Sequence, residues 1–377
     1  MMNPIPLQRD FVRKARLILS DGSCFTGRSV GYSGIAFGEL CFNTGMTGYQ
    51  EVFTDPSYKG QIMVMTAAHI GNYGFKTDEQ ESDEVQISGL IVRNMARSWS
   101  RKRGDGSISE YLKERRCLAI ADVDTRALVR QIRSHGSMNA VMSDEDHTDE
   151  QLLRLLNDVP AMEGLDLSSQ VGTAESYIFD PQEGDLRLKT VVVVDYGTKS
   201  NILRLMKSKG FKVVVVPSHS TSTEILSHQP HGILLSNGPG DPASMLNQIR
   251  VIQALIDHEL PVMGICLGHQ LLARALGVGT FKMHHGHRGI NHPVQNILNG
   301  RSEITSQNHG FGVDAVGINN NLELQITHIN LNDQTVEGFR HRTKPLFSVQ
   351  HHPEACPGPH DSRYLFDEFA RLISSGE

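Results

Sequence analysis

The second half of the chain alternates short apolar runs with helical segments, and this alternation constrains the fold more than any other feature. Residues 191–194 are four consecutive valines followed by Asp195, as expected for a strand buried on both faces. Three further apolar runs follow, with helical segments between them, at 213–216, 232–235 and 261–265. This spacing predicts right-handed βαβ units in a parallel sheet, so we expect ligands beyond the carboxyl ends of its strands.

The first half has a mixed α and β pattern. Asp21-Gly22 lies between two short apolar-rich runs and predicts a hairpin, because a tight primed turn needs positive φ. Residues 118–123 predict a strand that leads into a helix, with Thr125 as its N-cap and Gly136 as its C-cap.

The length of 377 residues suits two domains. We predict an α/β protein with an N-terminal domain at 1–148, a linker region at 149–189 and a C-terminal doubly wound parallel-sheet domain at 190–377. The linker region opens with a helix for which Thr148 and Gln151 form a capping-box pattern, and the rest of it lacks strong periodicity.

Composition excludes several classes of function. The formal net charge of −6 argues against a nucleic-acid or anionic-membrane binder. The five cysteines form no CxxC pair, which fits a reducing compartment better than a disulfide framework or a zinc site. No apolar run approaches the ~18 residues of a membrane span, and the N-terminus lacks the apolar core of a signal peptide. We therefore expect a cytoplasmic protein that binds neither membranes nor nucleic acid.

The sharpest local signal is a cysteine flanked by glycines between a strand and a helix. Gly264-Ile-Cys266-Leu-Gly268 has the pattern of a nucleophile elbow with cysteine in place of serine. The glycines let the strained turn close tightly, and the helix N-terminus stabilises negative charge on the sulfur. The alternative is a buried structural cysteine, which is the commoner role of a cysteine after a core strand. We predict that Cys266 is a nucleophile.

A base and an orienting carboxylate are predicted near the C-terminus. Residues i and i+2 of an extended segment point to the same face with Cα atoms about 6 to 7 Å apart, so Glu354 can reach one imidazole nitrogen of His352. The same spacing favours His352 over the adjacent His351. His-Pro-Glu alone is more often a surface turn, but Cys266 in the same domain makes a nucleophile, base and carboxylate triad the better interpretation.

A third element is the turn Gly238-Pro-Gly240, directly after the 232–235 run. Glycine lets a backbone approach closely, so this turn is able to aim amides at a developing oxyanion. A plain strand-to-helix turn is the alternative, and the spacing fits no phosphate-binding loop.

Together these motifs resemble the class I, triad-type glutamine amidotransferases. Longer segments resemble the small subunits of carbamoyl-phosphate synthases in both halves of the chain, at 43–58, 121–126, 306–311 and 352–361. The resemblance implies a swivelling β/β/α-like N-terminal domain. It also implies that Cys266 attacks the side-chain amide of L-glutamine, with His352 as base and then acid and Glu354 orienting it.

The resemblance further implies that backbone amides of Leu267 and of the 238–240 turn hold the oxyanion. The residues that it assigns to glutamine binding are Gly45, Gly238, Gly240, Leu267, Gln270, Asn308, Gly310 and Phe311. Family members often carry serine at the position of Gly45, where the hydroxyl contacts substrate. A backbone amide serves here instead, or one contact is missing.

By the same resemblance the chain is a glutaminase subunit that passes ammonia to a large synthetase subunit, which uses bicarbonate and ATP to make carbamoyl phosphate for pyrimidine and arginine biosynthesis. We expect no cofactor on this chain, with ATP and metal ions on the partner. The histidine-rich segment 283–292 fits no zinc spacing, so no metal site is predicted.

The residues alone leave three alternative functions open. An amidotransferase serving another synthetase would share the triad but not the first 140 or so residues. A cysteine hydrolase of another substrate would have no reason to carry Gln270 and Asn308. A non-catalytic scaffold subunit should have lost a member of the triad.

Overall fold

The computed structural model describes residues 13–182 and 188–375. Residues 1–12, where a signal peptide would begin, and residues 183–187 of the predicted linker lie outside the described residues. Within the described part, none of the helices combines the length and the apolar character that a bilayer span requires.

Seven strands of the first domain close into a barrel with the order β1-β2-β8-β6-β4-β3-β9. The strands of this domain, in chain order, are β1 (Lys14–Leu19), β2 (Cys24–Ser29), β3 (Ile35–Asn43), β4 (Gln61–Met65), β5 (His69–Ile70), β6 (Gly89–Ile91), β7 (Asn94–Met95), β8 (Leu118–Ala121) and β9 (Met138–Ser143). The predicted hairpin is confirmed: β1 and β2 pair antiparallel, and Gly22 in the turn has φ 86°. Strand β4 is buried on both faces, because Ile62 and Met63 point into different apolar clusters.

Helices of the described part of this domain pack around the barrel and lead out of it. They are α1 (Tyr49–Thr54), α2 (Ile108–Glu114), α3 (Thr125–His135) and α4 (Asp149–Asn157). The prediction of Thr125 as N-cap is wrong by one residue, because the Asp124 side chain accepts the Ala127 N–H and Thr125 is already helical. The predicted C-cap at Gly136 and the capping box of Thr148 are confirmed.

The second domain is built on a ten-stranded sheet of order β10-β12-β11-β13-β14-β19-β18-β17-β15-β16. Its strands are β10 (Tyr177–Ile178), β11 (Thr190–Asp195), β12 (Lys212–Pro217), β13 (Gly232–Leu235), β14 (Val262–Ile265), β15 (Thr280–Asn296), β16 (Arg301–Val313), β17 (Leu324–Asn330), β18 (Val336–His341) and β19 (Leu346–Val349). Its helices are α5 (Ser200–Ser208), α6 (Ser222–Ser227), α7 (Leu246–Ile256), α8 (Leu267–Ala275), α9 (Ala315–Asn320) and α10 (Tyr364–Ser375).

Helices cover both faces of the parallel part of this sheet, as a doubly wound fold requires. Alternate residues of β11 enter two separate cores: Val192 packs with residues of α7 and α8, whereas Val193 packs with residues of α5 and α10. This double burial explains the run of valines. The predicted parallel sheet is confirmed for β12, β11, β13 and β14, and β19 adds a parallel strand that the sequence analysis did not predict. Strands β15 to β18 add an antiparallel half that the sequence did not predict, because glycine and histidine interrupt the apolar pattern there.

Part of the predicted linker lies against the second domain. The Asp241 amide donates to the Leu165 carbonyl at 2.8 Å, and the Gly164 amide donates to Oδ2 of Asp241 at 2.9 Å. An isolated bridge joins Asp166 to Gly240. The chain between the domains therefore crosses the turn that follows β13, directly beside the carboxyl ends of the parallel strands.

Candidate active site

Cys266 lies between β14 and α8 in a backbone conformation that L-residues rarely adopt, with φ 54° and ψ −102°. The surrounding chain holds this strained turn in place, because the Cys266 amide donates to the Val349 carbonyl and the Gly268 amide donates to the Ser236 carbonyl. A Cβ atom at Gly268 would lie 2.1 Å from the Leu235 carbonyl oxygen, so only glycine lets α8 approach β13 this closely. The geometry is that of a nucleophile elbow.

The thiol of Cys266 faces an enclosed space at the carboxyl end of the sheet. The residue is 2% exposed, and its Sγ donates to the Asn308 carbonyl at 3.5 Å. Gln270, one turn further along α8, is fixed by hydrogen bonds from Nε2 to the Phe311 carbonyl at 2.9 Å and to Oε1 of Gln350 at 3.0 Å. Gln270 also lines the cavity beside Cys266, where its side-chain oxygen can accept a hydrogen bond from a ligand.

His352 and Glu354 are joined as the i, i+2 spacing predicts. Nδ1 of His352 lies 2.6 Å from Oε1 of Glu354, and both side chains are almost completely buried. Nε2 of His352 makes no hydrogen bond to any described residue. Burial and Lys199 lower the pKa of His352, but Glu354 and Cys266 outweigh them and raise it to about 10. Nε2, the ring nitrogen opposite Glu354, is therefore the atom left to exchange a proton with the thiol.

Lys199 completes the buried charge cluster, and the sequence analysis did not identify it. Its Nζ lies 2.6 Å from Oε1 of Glu354 and 3.9 Å from Oδ2 of Asp55 in the first domain. Burial lowers the pKa of Lys199, but the carboxylates of Glu354, Asp55 and Glu81 together raise it above its ordinary value. Burial raises the pKa of Glu354, whereas Lys199 and His352 lower it, and the lowering prevails. The carboxylate that orients His352 is therefore ionised.

The predicted oxyanion site lies around the first turn of α8. Leu267 is the first residue of this helix, and amides of a first turn have no carbonyl partner within the helix. Gly240 has φ 105°, and a Cβ atom there would lie 2.6 Å from the Leu165 carbonyl oxygen. Gly238 approaches Leu267 from the turn after β13. Leu267 thus follows the nucleophile directly and the 238–240 turn lines the same cavity, whereas the role of their amides in holding an oxyanion stays a prediction.

Residues of both domains and of the linker line the cavity beside Cys266. The cavity is small, with a volume of about 30 Å³. The predicted residues that line it are Gly238, Gly240, Cys266, Gln270, Asn308, Gly310 and Phe311. Lining residues that the sequence analysis missed are Ser57 and Gln61 of the first domain, Met162 of the linker, and Lys282 and Arg288 of β15. His352 lines an adjoining cavity together with Lys199, and Asn308 lines both cavities.

Gly45 is placed differently from the other predicted glutamine-binding residues. It is absent from the lining of the Cys266 cavity, and its amide already donates to Oδ1 of Asn43 at 2.7 Å. A substrate contact at Gly45 therefore stays a prediction, and its amide is not available for one in this arrangement.

A second group of buried polar residues lies beside the site. His287, His309 and Glu337 bring possible ligand atoms within 4.8 Å of one another. Burial lowers the pKa of His287, but hydrogen bonds with Asp333 and Glu337 raise it to about 9. Hydrogen bonds join this group to its neighbours: Nε2 of His287 lies 2.9 Å from Oδ2 of Asp333, and Nδ2 of Asn330 donates to Oε1 of Glu337 at 2.8 Å.

Comparisons with known proteins match nearly the whole chain. Residues 17–142 match the family model for the carbamoyl-phosphate synthase small chain, CPSase domain, and residues 192–372 match that for glutamine amidotransferase class-I. The chain is 49% identical over 371 residues to a carbamoyl phosphate synthase small chain of Synechococcus sp., covering 95% of this chain and 93% of that protein.

A second relative and a solved structure are also similar to the chain. The small chain of Akkermansia muciniphila is 46% identical over 373 residues, covering 97% of this chain and 98% of that protein. Among solved structures, a glutamine amidotransferase from Thermotoga maritima is 14% identical, with a TM-score of 0.39, and covers 50% of this chain and 97% of that one. The two relatives and the family models show that the chain belongs to the carbamoyl phosphate synthase small chain family.

Proposed function

We propose that this chain is the glutaminase subunit of a glutamine-hydrolysing carbamoyl-phosphate synthase. It releases ammonia from L-glutamine and passes it to a large subunit, which makes carbamoyl phosphate from bicarbonate and ATP for pyrimidine and arginine biosynthesis. The observation that carries the proposal is the strained, buried Cys266 beside a His352–Glu354 pair, in a chain that matches small chains along nearly its full length.

The geometry supports thioester chemistry. Nε2 of His352 takes the proton of the Cys266 thiol, and the sulfur attacks the side-chain carbonyl carbon of glutamine. The amide of Leu267 and the 238–240 turn stabilise the oxyanion that forms. His352 then gives its proton to the nitrogen, the C–N bond breaks, and ammonia leaves a thioester on Cys266.

Water completes the cycle. His352 removes a proton from a water molecule, whose oxygen attacks the thioester carbonyl, and the second tetrahedral intermediate collapses to glutamate while His352 returns the proton to the Cys266 sulfur. Glu354 accepts the Nδ1–H of His352 throughout and stabilises the imidazolium that forms twice in the cycle. These steps need only a thiol, an imidazole and a carboxylate, so we place ATP and its metal ions on the large subunit.

Several observations favour this function over the alternatives. The match at 17–142 separates the chain from amidotransferases of other synthetases, which need no such first domain. Gln270 and Asn308 line the cavity beside Cys266, which supports glutamine as the substrate rather than that of another cysteine hydrolase. The complete triad argues against a non-catalytic scaffold. All five cysteines are free thiols, in keeping with the cytoplasm as the site of action.

Isotope transfer tests the proposal. The chain is co-expressed with the large subunit from the same genome, purified, and supplied with glutamine labelled with ¹⁵N at the side-chain amide, bicarbonate, ATP and an excess of unlabelled ammonium. We expect ¹⁵N-labelled carbamoyl phosphate, because ammonia passes between the subunits without mixing with solvent. Failure of the two chains to co-purify, or product without label, would contradict the proposal.

A further inference from the structure

The N-terminus of helix α5, in the second domain, is hydrogen-bonded to a residue of the first domain. Its N-cap residue, Lys199, makes no side-chain capping hydrogen bond. Instead, the Ser200 amide donates to the Glu81 carbonyl at 2.9 Å, and the Ser200 hydroxyl donates to the same oxygen at 3.0 Å. The Asn201 amide donates to Oε2 of Glu81 at 3.1 Å. Glu81 therefore supplies the acceptors that a helix N-terminus requires.

The same end of α5 holds the catalytic carboxylate. Nζ of Lys199 lies 2.6 Å from Oε1 of Glu354, and the side-chain amide of Asn201 donates to the Glu354 main-chain carbonyl. Lys199 thus fixes the carboxylate of Glu354, and Asn201 fixes the backbone that carries this carboxylate. Any shift of the first turn of α5 would move both contacts together.

We propose that Glu81 is a positioning residue of the glutaminase site: it bonds the N-terminus of α5 across the domain boundary and thereby places Lys199 and Asn201 against Glu354. This inference rests on the proposed function, since it concerns the same reaction. Glu81 contacts neither the nucleophile nor the base, and it acts through the helix.

Glu81 is itself rigidly held, as a positioning group must be. It is 3% exposed, and its amide donates to the Thr54 hydroxyl at 3.0 Å. Thr54 ends α1, and the next residue, Asp55, accepts a hydrogen bond from Asn308 Nδ2 at 3.1 Å beside Cys266. The segment that anchors Glu81 therefore also touches the substrate cavity. The first domain therefore contributes to the active site through Glu81 and through Asp55, and the hydrogen bond between Glu81 and Thr54 links the two.

The expected consequence is kinetic. Displacement of catalytic groups by about 1 Å can cost on the order of 10²-fold in rate, even when the change lies away from the chemistry. Glu81 does not line the cavity beside Cys266; it lines the adjoining one, together with Lys199 and His352. Loss of the cap should therefore lower kcat and leave KM for glutamine nearly unchanged.

The test compares Glu81→Ala with Glu81→Gln, each as the full chain in complex with the large subunit. Alanine removes both side-chain oxygens, whereas glutamine keeps an acceptor for the Asn201 amide. For Glu81→Ala we expect kcat of glutamine hydrolysis to fall about tenfold or more, with KM within about threefold and ammonia-dependent synthesis unchanged. Glu81→Gln should recover most of kcat. Glu84→Ala, at an exposed position three residues away, is the matched control and should behave as the wild type.

Several outcomes would overturn the inference. Wild-type kcat in Glu81→Ala would do so, as would a loss in Glu81→Gln as large as in Glu81→Ala. If Glu81→Ala does not fold, Glu81→Asp decides: it keeps the charge but withdraws the oxygen from Asn201, so a lowered kcat supports the inference and a wild-type kcat overturns it. A wild-type complex without glutamine hydrolysis would instead refute the proposed function itself.

Discussion

Lys199 and His352 contact the same oxygen of the catalytic carboxylate: Nζ of Lys199 and Nδ1 of His352 each lie 2.6 Å from Oε1 of Glu354. The other oxygen, Oε2, is buried without a hydrogen-bond partner among the described residues. Breaking a buried charge pair by removing one partner is costly, because the remaining charge is left uncompensated. The orientation of the base therefore depends on a lysine that lies outside the triad.

Replacing Lys199 by methionine should lower kcat of glutamine hydrolysis by about tenfold or more, since the buried carboxylate would lose its cation. Lys199 lowers the pKa of Glu354, so without it Glu354 binds a proton at a higher pH and stops stabilising the imidazolium. The acid limb of the kcat–pH profile should therefore move to higher pH.

Lys209→Met is the control for this variant, because Lys209 pairs with the exposed Asp367 at the surface. It should keep the wild-type profile. An acid limb that is the same in Lys199→Met and in the wild type would show that Lys199 does not control the ionisation of Glu354.

Gly268→Ala should destabilise the protein and impair catalysis together. The new methyl group would lie 2.1 Å from the Leu235 carbonyl oxygen, so α8 must move away from β13 and carry Cys266 with it. Overpacking of this kind costs about 1 to 3 kcal/mol of unfolding free energy. Urea denaturation measures the loss. Gly279→Ala, where a methyl group meets nothing within 4 Å, should be close to neutral, and equal stability of both variants would contradict the account.

Buried histidines should make the protein less stable in mild acid. Burial lowers the pKa of His269 to about 3 and those of His292 and His328 to about 4. The unfolded state then binds more protons below pH 6.5, so this stability is complete above pH 6.5 and is lost as the pH falls towards 4. Other groups act in the opposite direction: the pKa values of Glu51 and Glu81 are raised to about 7 by burial, and those of His287 and His352 are also raised, so the contribution of a buried histidine is isolated by mutation.

Urea denaturation between pH 7 and pH 5 checks this prediction. Relative to the wild type, His269→Gln should lose less unfolding free energy as the pH falls, by up to about 1.4 kcal/mol per pH unit, because one group that takes up a proton only on unfolding is removed. A slope that His269→Gln leaves unchanged would contradict the assignment of His269 as a buried neutral imidazole.

Local spacing predicted the parts of the site that lie close together in sequence. The glycines around Cys266 and the i, i+2 relation of His352 and Glu354 are patterns of backbone geometry, and the structure brings these groups together. The sequence also predicted that β11 is buried on both faces, because a strand covered on both faces must be apolar at every position.

The contributions that sequence reasoning missed come from distant segments. Asp55, Glu81 and Lys199 lie on different elements, and only the packing of the barrel against the second domain brings them together. Lys199 follows the carboxyl end of β11, where ligands of parallel sheets bind, and this position was a usable signal. Glu81 lies in an irregular segment with no periodicity, so nothing local marked it.

The most direct test of the central claim is Cys266→Ser in the complex with the large subunit. Serine keeps the size and hydrogen bonding of the side chain, but its hydroxyl is a much weaker nucleophile than a thiolate. The account predicts that glutamine-dependent synthesis of carbamoyl phosphate is abolished, while synthesis from free ammonia continues at the wild-type rate. Full glutamine-dependent activity in Cys266→Ser would contradict the account.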